Sequence, residues 1–339
     1  MLKLRRGVVS GSDPLTVRVG GEERPAWADR GLVGDVREGD EVIVNVEALD
    51  LGLGSGGFDV VHVNLSRGLE APGAAEAAAM KLNYSSLQHP VEPVEALPET
   101  GSRRAIPVLV LSLHGQLGPA AWAAAREGGM RVGYVQTAGG ALPGALSRDV
   151  GDLRRRGLLC DHVTASPTYG GEREAITVIG ALRAAAGPLG WDAAIAGPGP
   201  GIAGSGTRLG HGGMTALDTA HASLSLRLET LIAPRLSSGD ERARHRGLSH
   251  HTDTVLRLLL GSVRVPVPAA DESALEPLRG ACGERHEIWP RDAPVDEYAA
   301  SGLPATHMGR SIAEDRLFFA AALAAGDGLA AAALVEEAA

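Results

Sequence analysis

The fold is decided by residues 105–137, which read AIPVLVLSLHGQLGPAAWAAAREGGMRVGYVQT. An apolar run from Ile106 to Leu113 comes first, an alanine-rich helical pattern follows it, and a second apolar run extends from Arg131 to Gln136. Apolar runs of about four to eight residues that alternate with helical patterns are typical of parallel strands joined by crossover helices. The runs are nearly continuous rather than alternating, which indicates strands that are covered by helices on both faces.

The same rhythm recurs further along the chain. The expected strands are His162 to Ala165, Asp192 to Ala196, Thr230 to Pro234 and Val263 to Val267, with a weaker one at His286 to Trp289. We therefore expect residues 105–339 to form an α/β domain with a mostly parallel, helix-flanked, Rossmann-like sheet.

Residues 1–68 show a different pattern. Three short β-type runs, Leu15 to Val19, Glu41 to Val46 and Asp59 to Val63, are separated by glycine-rich turns, and no stretch is long enough for a helix. This pattern predicts a small all-β, barrel-like domain. Four prolines then punctuate residues 69–104, which we expect to form a docked linker.

Composition limits the function classes. The chain has 339 residues and a net charge of −9, which argues against a general binder of nucleic acid or of an anionic membrane surface. Its length exceeds the roughly 250 to 300 residues at which single cores stop growing, which favours two domains. Cys160 and Cys282 are far apart and there is no cationic and apolar leader, so we expect a cytoplasmic protein.

The longest apolar stretch extends from Phe318 to Val335. Gly326, Asp327 and Gly328 interrupt it, and most of its residues are alanine. We expect it to be too weakly hydrophobic to span a bilayer and to form a pair of helices that pack on the domain.

The expected ligand site lies at the carboxyl ends of the parallel strands, where the loops and the following helix N-termini meet. The richest loop, Gly197 to His211, follows the fourth strand. Its glycines let backbone amides approach a ligand, and its hydroxyl and guanidinium donors suit phosphate or carboxylate. The candidate ligand-binding residues here are Gly199, Gly201, Gly204, Ser205, Gly206, Thr207 and Arg208. A glycine-rich turn without a ligand is the alternative interpretation.

Gly199 to Gly204 also matches the dinucleotide pattern G-x-G-x-x-G. The match is weak because the motif follows the fourth strand rather than the first, and Arg235 stands where the fingerprint needs an acidic residue. The residues therefore leave the identity of any cofactor open.

The second cluster extends from Asp240 to Asp253. Ser249 is expected to cap a helix whose free amides face the same crevice, with Arg242, Arg244 and Arg246 close enough to bind an anion. The catalytic candidates are His245, His250 and His251, which could transfer a proton near neutral pH. The alternative for this segment is a solvated basic loop.

A metal site with His211, Asp218 or Asp253 among its ligands is a further alternative for this region. No H-E-x-x-H or C-x-x-C spacing supports it, and we predict no metal site from the sequence. His114 also follows a strand, where a histidine more often packs than reacts.

Three segments resemble a known family: Gly197 to Gly210 with its G-S-G-T-R-L-G core, the H-R-G-L-S-H-H-T run from His245 to Thr252, and the L-G-L-G-S-G-G turn from Leu51 to Gly57. Together they resemble a bacterial domain-of-unknown-function family, DUF3866. The resemblance extends over essentially the whole chain and implies a shared architecture and a shared site.

Three functions remain open. The first is an enzyme that acts on a small anionic metabolite, held by the glycine loop and the arginines, while one histidine transfers a proton. The second is a non-catalytic metabolite sensor or assembly protein whose β domain joins copies of the chain into a homo-oligomer. The third is a dinucleotide-dependent oxidoreductase. Histidines that converge and are held by an orienting group favour catalysis, whereas histidines splayed to solvent favour binding alone.

Overall fold

The computed structural model describes residues 1–53, 56–69, 77–99, 104–269 and 272–337. The chain divides into two compact units, Met1–Val91 and Glu92–Ala339, which we call unit 1 and unit 2. The predicted linker, residues 69–104, is shared between these units. Its residues 70–76 and 100–103 lie outside the described residues, as do residues 54 and 55 of the turn that begins at Leu51.

Unit 1 is a closed barrel of five strands. Its strands are β1 (Leu4–Ser12), β2 (Leu15–Val19), β3 (Glu22–Trp27), β4 (Glu41–Asn45) and β5 (Asp59–Asn64), and a hairpin of β6 (Ala79–Lys81) and β7 (His89–Val91) follows them. Neighbours in the barrel run β1-β2-β3-β5-β4, and β4 pairs with β1 to close it. Two single-turn helices, α1 (Arg30–Val33) and α2 (Glu47–Asp50), lie between strands. The predicted barrel-like β domain is confirmed.

Two of the barrel strands, β1 and β3, carry no apolar run that the sequence could reveal. β3 reads EERPAW and is largely exposed, and β1 contains two arginines and two glycines. Gly7 is required by packing, because a Cβ atom there would lie 2.5 Å from the side chain of Val17 on the neighbouring strand β2. Barrel closure, rather than local apolar pattern, places these two strands.

Unit 2 is built on an eight-stranded sheet. The strands of the unit are β8 (Val108–Val110), β9 (Val132–Thr137), β10 (Asp161–Ala165), β11 (Arg173–Ala175), β12 (Ala193–Pro198), β13 (Thr230–Ile232), β14 (Leu236–Ser237), β15 (Gly247–Leu248), β16 (Arg264–Pro268), β17 (Glu287–Arg291), β18 (Thr306–His307) and β19 (Arg310–Ser311). The sheet order is β11-β10-β9-β12-β8-β13-β16-β17, and every neighbouring pair is parallel. β14 with β15 and β18 with β19 form two small antiparallel ladders.

Helices cover both faces of this sheet. They are α3 (Leu117–Ala125), α4 (Arg148–Arg155), α5 (Val178–Ala185), α6 (Thr215–Ser225), α7 (His250–Leu258), α8 (Glu272–Cys282), α9 (Val295–Ala300) and α10 (Arg316–Glu337). Val108 and Val110 of β8 face one core with residues of α5 to α8, while Leu109 faces a second core with residues of α3 and α10. The predicted helix-flanked parallel α/β fold is confirmed.

The strand order creates switch points in the middle of the sheet. The chain leaves β9 toward β10 on one side and leaves β12 toward β13 on the other, although β9 and β12 are neighbours. The connections that leave β8 and β13 also run in opposite directions. Ligands of open α/β sheets bind at the carboxyl edge where such connections diverge, so the loops after β8, β9, β12 and β13 frame the candidate site.

The end of the chain corrects one expectation. The predicted helix pair is wrong, because α10 is one continuous helix from Arg316 to Glu337. Its two glycines allow close packing instead of a turn. A Cβ atom on Gly326 would lie 2.1 Å from the carbonyl oxygen of Ala120 in α3, and one on Gly328 would lie 2.8 Å from Pro266 in β16.

The hydropathy of α10 is also higher than the sequence pattern suggested. Its stretch Arg316–Leu334 has a mean hydropathy of 1.8 and is long and apolar enough to cross a membrane by length and composition alone. Two-thirds of that apolar stretch is buried inside unit 2, as expected for the core helix of a globular unit.

Candidate functional site

Four histidines meet at the carboxyl edge of the sheet. His211 ends the glycine-rich loop after β12, and His245, His250 and His251 follow β13. The rings of His211 and His251 stack with their centroids 3.7 Å apart, and His250 lies 4.5 Å from His251 and 5.0 Å from His211. His245 lies 4.9 Å from both His250 and His251. We call these four residues the histidine cluster.

Ser249 contacts two of the cluster histidines, His245 and His251. It is the N-cap of α7, and its hydroxyl oxygen accepts a hydrogen bond from the backbone amide of His251 at 3.3 Å. The same oxygen lies 2.8 Å from Nδ1 of His245. The ladder of β14 and β15 closes the loop that carries His245 and returns the chain to the start of α7. Ser249, which was predicted to start the helix, therefore also holds the side chain of His245 in the preceding loop.

Three of the rings bring nitrogen atoms close together. One ring nitrogen each from His211, His250 and His251 lies within 4.8 Å of the others. Nε2 of His211 lies 3.0 Å from the carbonyl oxygen of Arg208, and because a carbonyl only accepts, Nε2 carries the proton. The lone pair of His211 is therefore on Nδ1, which is buried and has no hydrogen-bond partner among the described residues.

Burial keeps these histidines neutral. Desolvation is the largest of the causes that lower the pKa of His245 to about 3, and the positive charge of Arg235 is the next. Desolvation also lowers the pKa of His251 to about 2, and it lowers the pKa of His211 and of His250. At neutral pH the cluster consequently offers imidazole lone pairs rather than positive charge.

Arg235 is a site residue that the sequence analysis did not select. It follows β13, only 3% of it is exposed, and its Nε atom has no partner in the described part of the chain. Its remaining contacts are long: Asp240 at 3.3 Å, Nδ1 of His251 at 3.5 Å and the sulfur of Met308 at 4.0 Å. Burial lowers the pKa of Arg235 to about 10, so it stays charged. A polar residue directly after an apolar run is the signal that could have identified it.

The other charges of this region neutralise one another. Asp240 accepts hydrogen bonds from Arg242 at 2.8 Å, from Arg235 at 3.3 Å and from Arg310 at 3.5 Å. The hydrogen bonds from Arg242 hold the pKa of Asp240 well below its usual range. Arg246 is exposed and donates to the carbonyl oxygens of Asp240 and Glu241.

The glycine-rich loop divides into two parts. Its tip is an exposed turn in which the hydroxyls of Ser205 and Thr207 bond to each other at 2.8 Å, and the amide of Ser205 bonds to the carbonyl of Gly210. The glycines Gly201, Gly204 and Gly206 lie in the same loop, and Gly201 and Gly206 adopt positive φ angles. The tip hydroxyls are therefore engaged within the turn.

The base of that loop contacts its neighbours. A Cβ atom on Gly199 would lie 2.5 Å from the carbonyl oxygen of Ala141, so this glycine packs against the loop after β9. Arg208 donates to Asp253 at 2.8 Å and to Thr254 at 3.2 Å, which joins the loop to α7. Arg208 and His211 are the members of the loop that the structure brings to the second cluster.

Of the other proposed metal ligands, Asp253 is held by Arg208 and Arg257. Asp218 is exposed on α6.

Several buried polar atoms at this edge lack partners. Among the described residues they are Ser112 Oγ, Gln116 Oε1, His211 Nδ1, Arg235 Nε and His307 Nε2. Native proteins pair nearly all buried polar atoms, and an unpaired one commonly marks a site for a ligand or water. Trp191 Nε1 and His286 Nδ1 are the other such atoms in the described part of unit 2, so five of the seven lie at this edge.

His114, at the same edge, is a structural contrast. Its Nδ1 donates to the carbonyl oxygen of Pro198 at 3.1 Å, and its Nε2 lies 2.8 Å from the hydroxyl of Ser147. That hydroxyl also accepts from the amide of Val150 and caps α4. Both nitrogens of His114 are satisfied by the protein, as a packing role requires.

Comparison with protein families gives one result. The family described as "Protein of unknown function (DUF3866)" matches residues 26–326, which include strands β4 and β5 of the barrel, the whole eight-stranded sheet and the histidine cluster. Curated proteins and solved structures give no match. Because the match extends over nearly the whole chain, the protein belongs to the DUF3866 family.

Proposed function

We propose that the protein is an enzyme that binds a small anionic metabolite, carrying a phosphate or carboxylate group, at the carboxyl edge of the unit 2 sheet. The observation that carries this proposal is Arg235, a buried guanidinium whose Nε has no hydrogen-bond partner among the described residues and whose other side-chain contacts are 3.3 Å or longer. A buried charge is costly unless it is paired and hydrogen-bonded. A phosphate or carboxylate is the partner that suits the planar fork of an arginine.

The position of Arg235 links the anion to the reactive groups. Its Nη1 atom lies 3.5 Å from Nδ1 of His251, so an anion bound to the guanidinium would lie beside the histidine cluster. The neutral imidazoles there can accept a proton or act as ligands. A bound anion would also raise their pKa values toward the range in which they transfer protons.

The arrangement favours an enzyme over a sensor. The rings converge instead of pointing into solvent, and two of them are oriented by specific partners, His211 by the carbonyl of Arg208 and His245 by Ser249. An oriented base near an anion-binding group is the geometry that catalysis requires. Two residues of the predicted anion site have a positioning role in this proposal: Arg208 pairs with Asp253 and so joins its loop to α7, and Ser249 caps α7 and contacts His245.

The test is a thermal-shift screen of the full chain against inorganic phosphate, sulfate, small dicarboxylates and phosphorylated sugars. We expect at least one of them to raise the Tm of the wild type, because a ligand that binds only the folded state stabilises it. The Arg235→Gln variant should bind at least about tenfold more weakly, since a charge-assisted hydrogen bond contributes about 1.5 to 3 kcal/mol.

Arg173→Ala, at the opposite edge of the sheet, is the control and should bind as the wild type does. The unliganded Arg235→Gln variant should be about as stable as the wild type, because the substitution removes a buried charge that lacks full pairing. Equal binding by the wild type and Arg235→Gln, or no shift with any member of the panel, would show the proposal to be wrong.

A further inference from the structure

We propose that His211, His250 and His251 form a site for one divalent transition-metal ion with imidazole ligands, of which Zn²⁺ is the model case. This metal site lies at the same edge as the proposed anion site. It rests on the proposed function in one respect only, namely that the anionic ligand would occupy the open coordination position of the metal. The three residues come from the loop after β12 and from the first turn of α7.

The first argument is the distance between donors. One ring nitrogen from each of the three histidines lies within 4.8 Å of the others. A tetrahedral ion with nitrogen ligands at about 2.0 to 2.1 Å holds its donors roughly 3.3 Å apart. Small side-chain rotations would close the remaining gap, and the half-buried ring of His250 has the most room to rotate.

The second argument is the hydrogen bonding of His211. Its Nε2–H donates to the carbonyl of Arg208, and its buried Nδ1 lone pair has no partner in the described ranges. A metal-binding histidine characteristically donates its other N–H to a carbonyl or carboxylate, which fixes the tautomer and aims the free nitrogen. A Cβ atom on Gly213 would lie 2.9 Å from Nδ1 of His251 and 3.1 Å from Nδ1 of His211, so these two atoms face the same point of the backbone.

The third argument is the chemistry of the donor set. Three imidazoles without a carboxylate suit Zn²⁺, Co²⁺, Ni²⁺ or Cu²⁺, whereas Mg²⁺ and Ca²⁺ prefer oxygen ligands. Three protein ligands leave a fourth position for water or substrate, as in catalytic zinc sites. His245 lies outside the donor group and bonds to Ser249.

The chain supplies a matched control. His286 is also buried, its Nε2 lies 2.8 Å from the carbonyl of Leu256, and its Nδ1 likewise has no partner among the described residues. It belongs to no group of three metal-ligating side chains that the described residues form. His286→Ala therefore removes a histidine of the same burial and hydrogen bonding without touching the proposed site.

The experiment titrates the full chain, treated with a chelator and dialysed, with Zn²⁺ and Co²⁺ by calorimetry and by the visible absorption of bound cobalt. We expect one ion per chain, cobalt bands typical of nitrogen ligands, and no comparable heat with Mg²⁺. His250→Ala and His211→Ala should each weaken binding by at least about a hundredfold, since even an outer-shell change costs ten- to a hundredfold. His286→Ala should bind as the wild type does.

The controls separate the two proposals. Circular dichroism of each metal-free variant tests folding, and if His211→Ala does not fold, His250→Ala decides the question because its ring is half-buried. No stoichiometric binding, or wild-type affinity in His250→Ala, would overturn the metal site.

Arg235→Gln should keep zinc and lose the anion. Anion binding without zinc would overturn only this inference, and zinc binding without any anion effect would overturn only the proposed function.

Discussion

Both edges of the unit 2 sheet carry polar side chains, but the partners of these side chains differ between the two edges. At the amino edge, an open cavity lies before β9, β10 and β11, and arginines and carboxylates line it. Arg173 pairs with Asp161 at 2.7 Å and Arg154 pairs with Glu172 at 2.7 Å, all within the cavity wall. At the carboxyl edge, Arg235 and His211 are buried, and each keeps one atom that has no partner among the residues that the structure describes.

The comparison teaches that polar content alone does not locate a site. Charges that neutralise one another at a surface contribute little and need no ligand. Buried groups with unused hydrogen-bonding capacity cost free energy in the absence of a partner, and a protein retains them where a ligand supplies the partner. Substitutions at the two edges should therefore differ in their effects on stability and on ligand binding.

The largest effect is expected for Asp315→Ala. This carboxylate is fully buried and accepts hydrogen bonds from Ser237 at 2.6 Å, from the amide of Ser238 at 2.9 Å and from Arg310 at 3.1 Å. Its removal leaves a partly buried arginine with one partner fewer, and breaking such a pair costs about 3 to 5 kcal/mol. Urea unfolding measures the change. A loss below 1 kcal/mol would mean that the loop after β13 is not held by this carboxylate.

His162 is a buried packing histidine outside the histidine cluster, and it should make the free energy of unfolding depend on pH. It stacks on Tyr134 with ring centroids 5.4 Å apart, and burial lowers its pKa to about 4. Because the unfolded chain binds a proton near pH 6.5 and the folded chain does not, stability is full above that pH and falls as the pH drops toward 4. The lost free energy is on the order of 3 kcal/mol. Unfolding of the wild type and His162→Gln between pH 4 and 7.5 tests this, and parallel curves would contradict it.

Gly213→Ala should lower the stability of the protein moderately and should displace the rings of the histidine cluster. The new methyl group would lie within 3.1 Å of Nδ1 of both His211 and His251, and crowding of this kind costs about 1 to 3 kcal/mol. Zinc and anion binding should weaken together. Gly151→Ala is the control, because its nearest neighbour beyond the helix backbone is the flexible guanidinium of Arg155 at 3.3 Å and alanine favours a helix by about 0.5 to 1 kcal/mol. Calorimetry and urea unfolding measure both variants, and unchanged ligand affinity in Gly213→Ala would contradict the site.

The smallest effect is expected at the amino edge. Arg173→Ala breaks an ion pair between the exposed Arg173 and the buried Asp161 at the rim of the open cavity, and ion pairs that water reaches contribute about 0 to 1 kcal/mol. Tm and urea midpoint should change little, and the binding measured in the carboxyl-edge experiments should not change. A clear loss of anion affinity in this variant would move the site to the other edge.

Much of the fold could be predicted because its signal is local. β2 was predicted at its observed bounds, and the apolar runs of β9 and β12 located their strands within about a residue or two at each end. β11 has only three residues and two of them are charged or partly exposed, so it carries no apolar run and forms by pairing with β10. The predicted break of the last helix at Gly326 was wrong for a related reason. This glycine allows close packing on Ala120, which is far away in the sequence.

The candidate site was predicted only as a location. Strand ends and loop composition pointed to the loops after β12 and β13 and to the cap at Ser249, because these features depend on neighbours in the sequence. The sequence could not show which side-chain donors and acceptors face one another in the folded protein. Arg208 bonds to Asp253 and Arg242 to Asp240, so two expected anion binders are already paired, whereas Arg235 is not fully paired.

The sequence by itself determined a β barrel followed by a parallel α/β sheet, and it determined that polar and histidine-bearing loops follow the strands. Only the tertiary structure decided that His211 stacks on His251, that Arg235 is buried beside them, and that α10 is continuous. Apolar periodicity is a property of adjacent residues and is written in the chain. The partner of a buried polar atom depends on which distant segments the sheet order brings together, and that order is set by the packing of the whole unit.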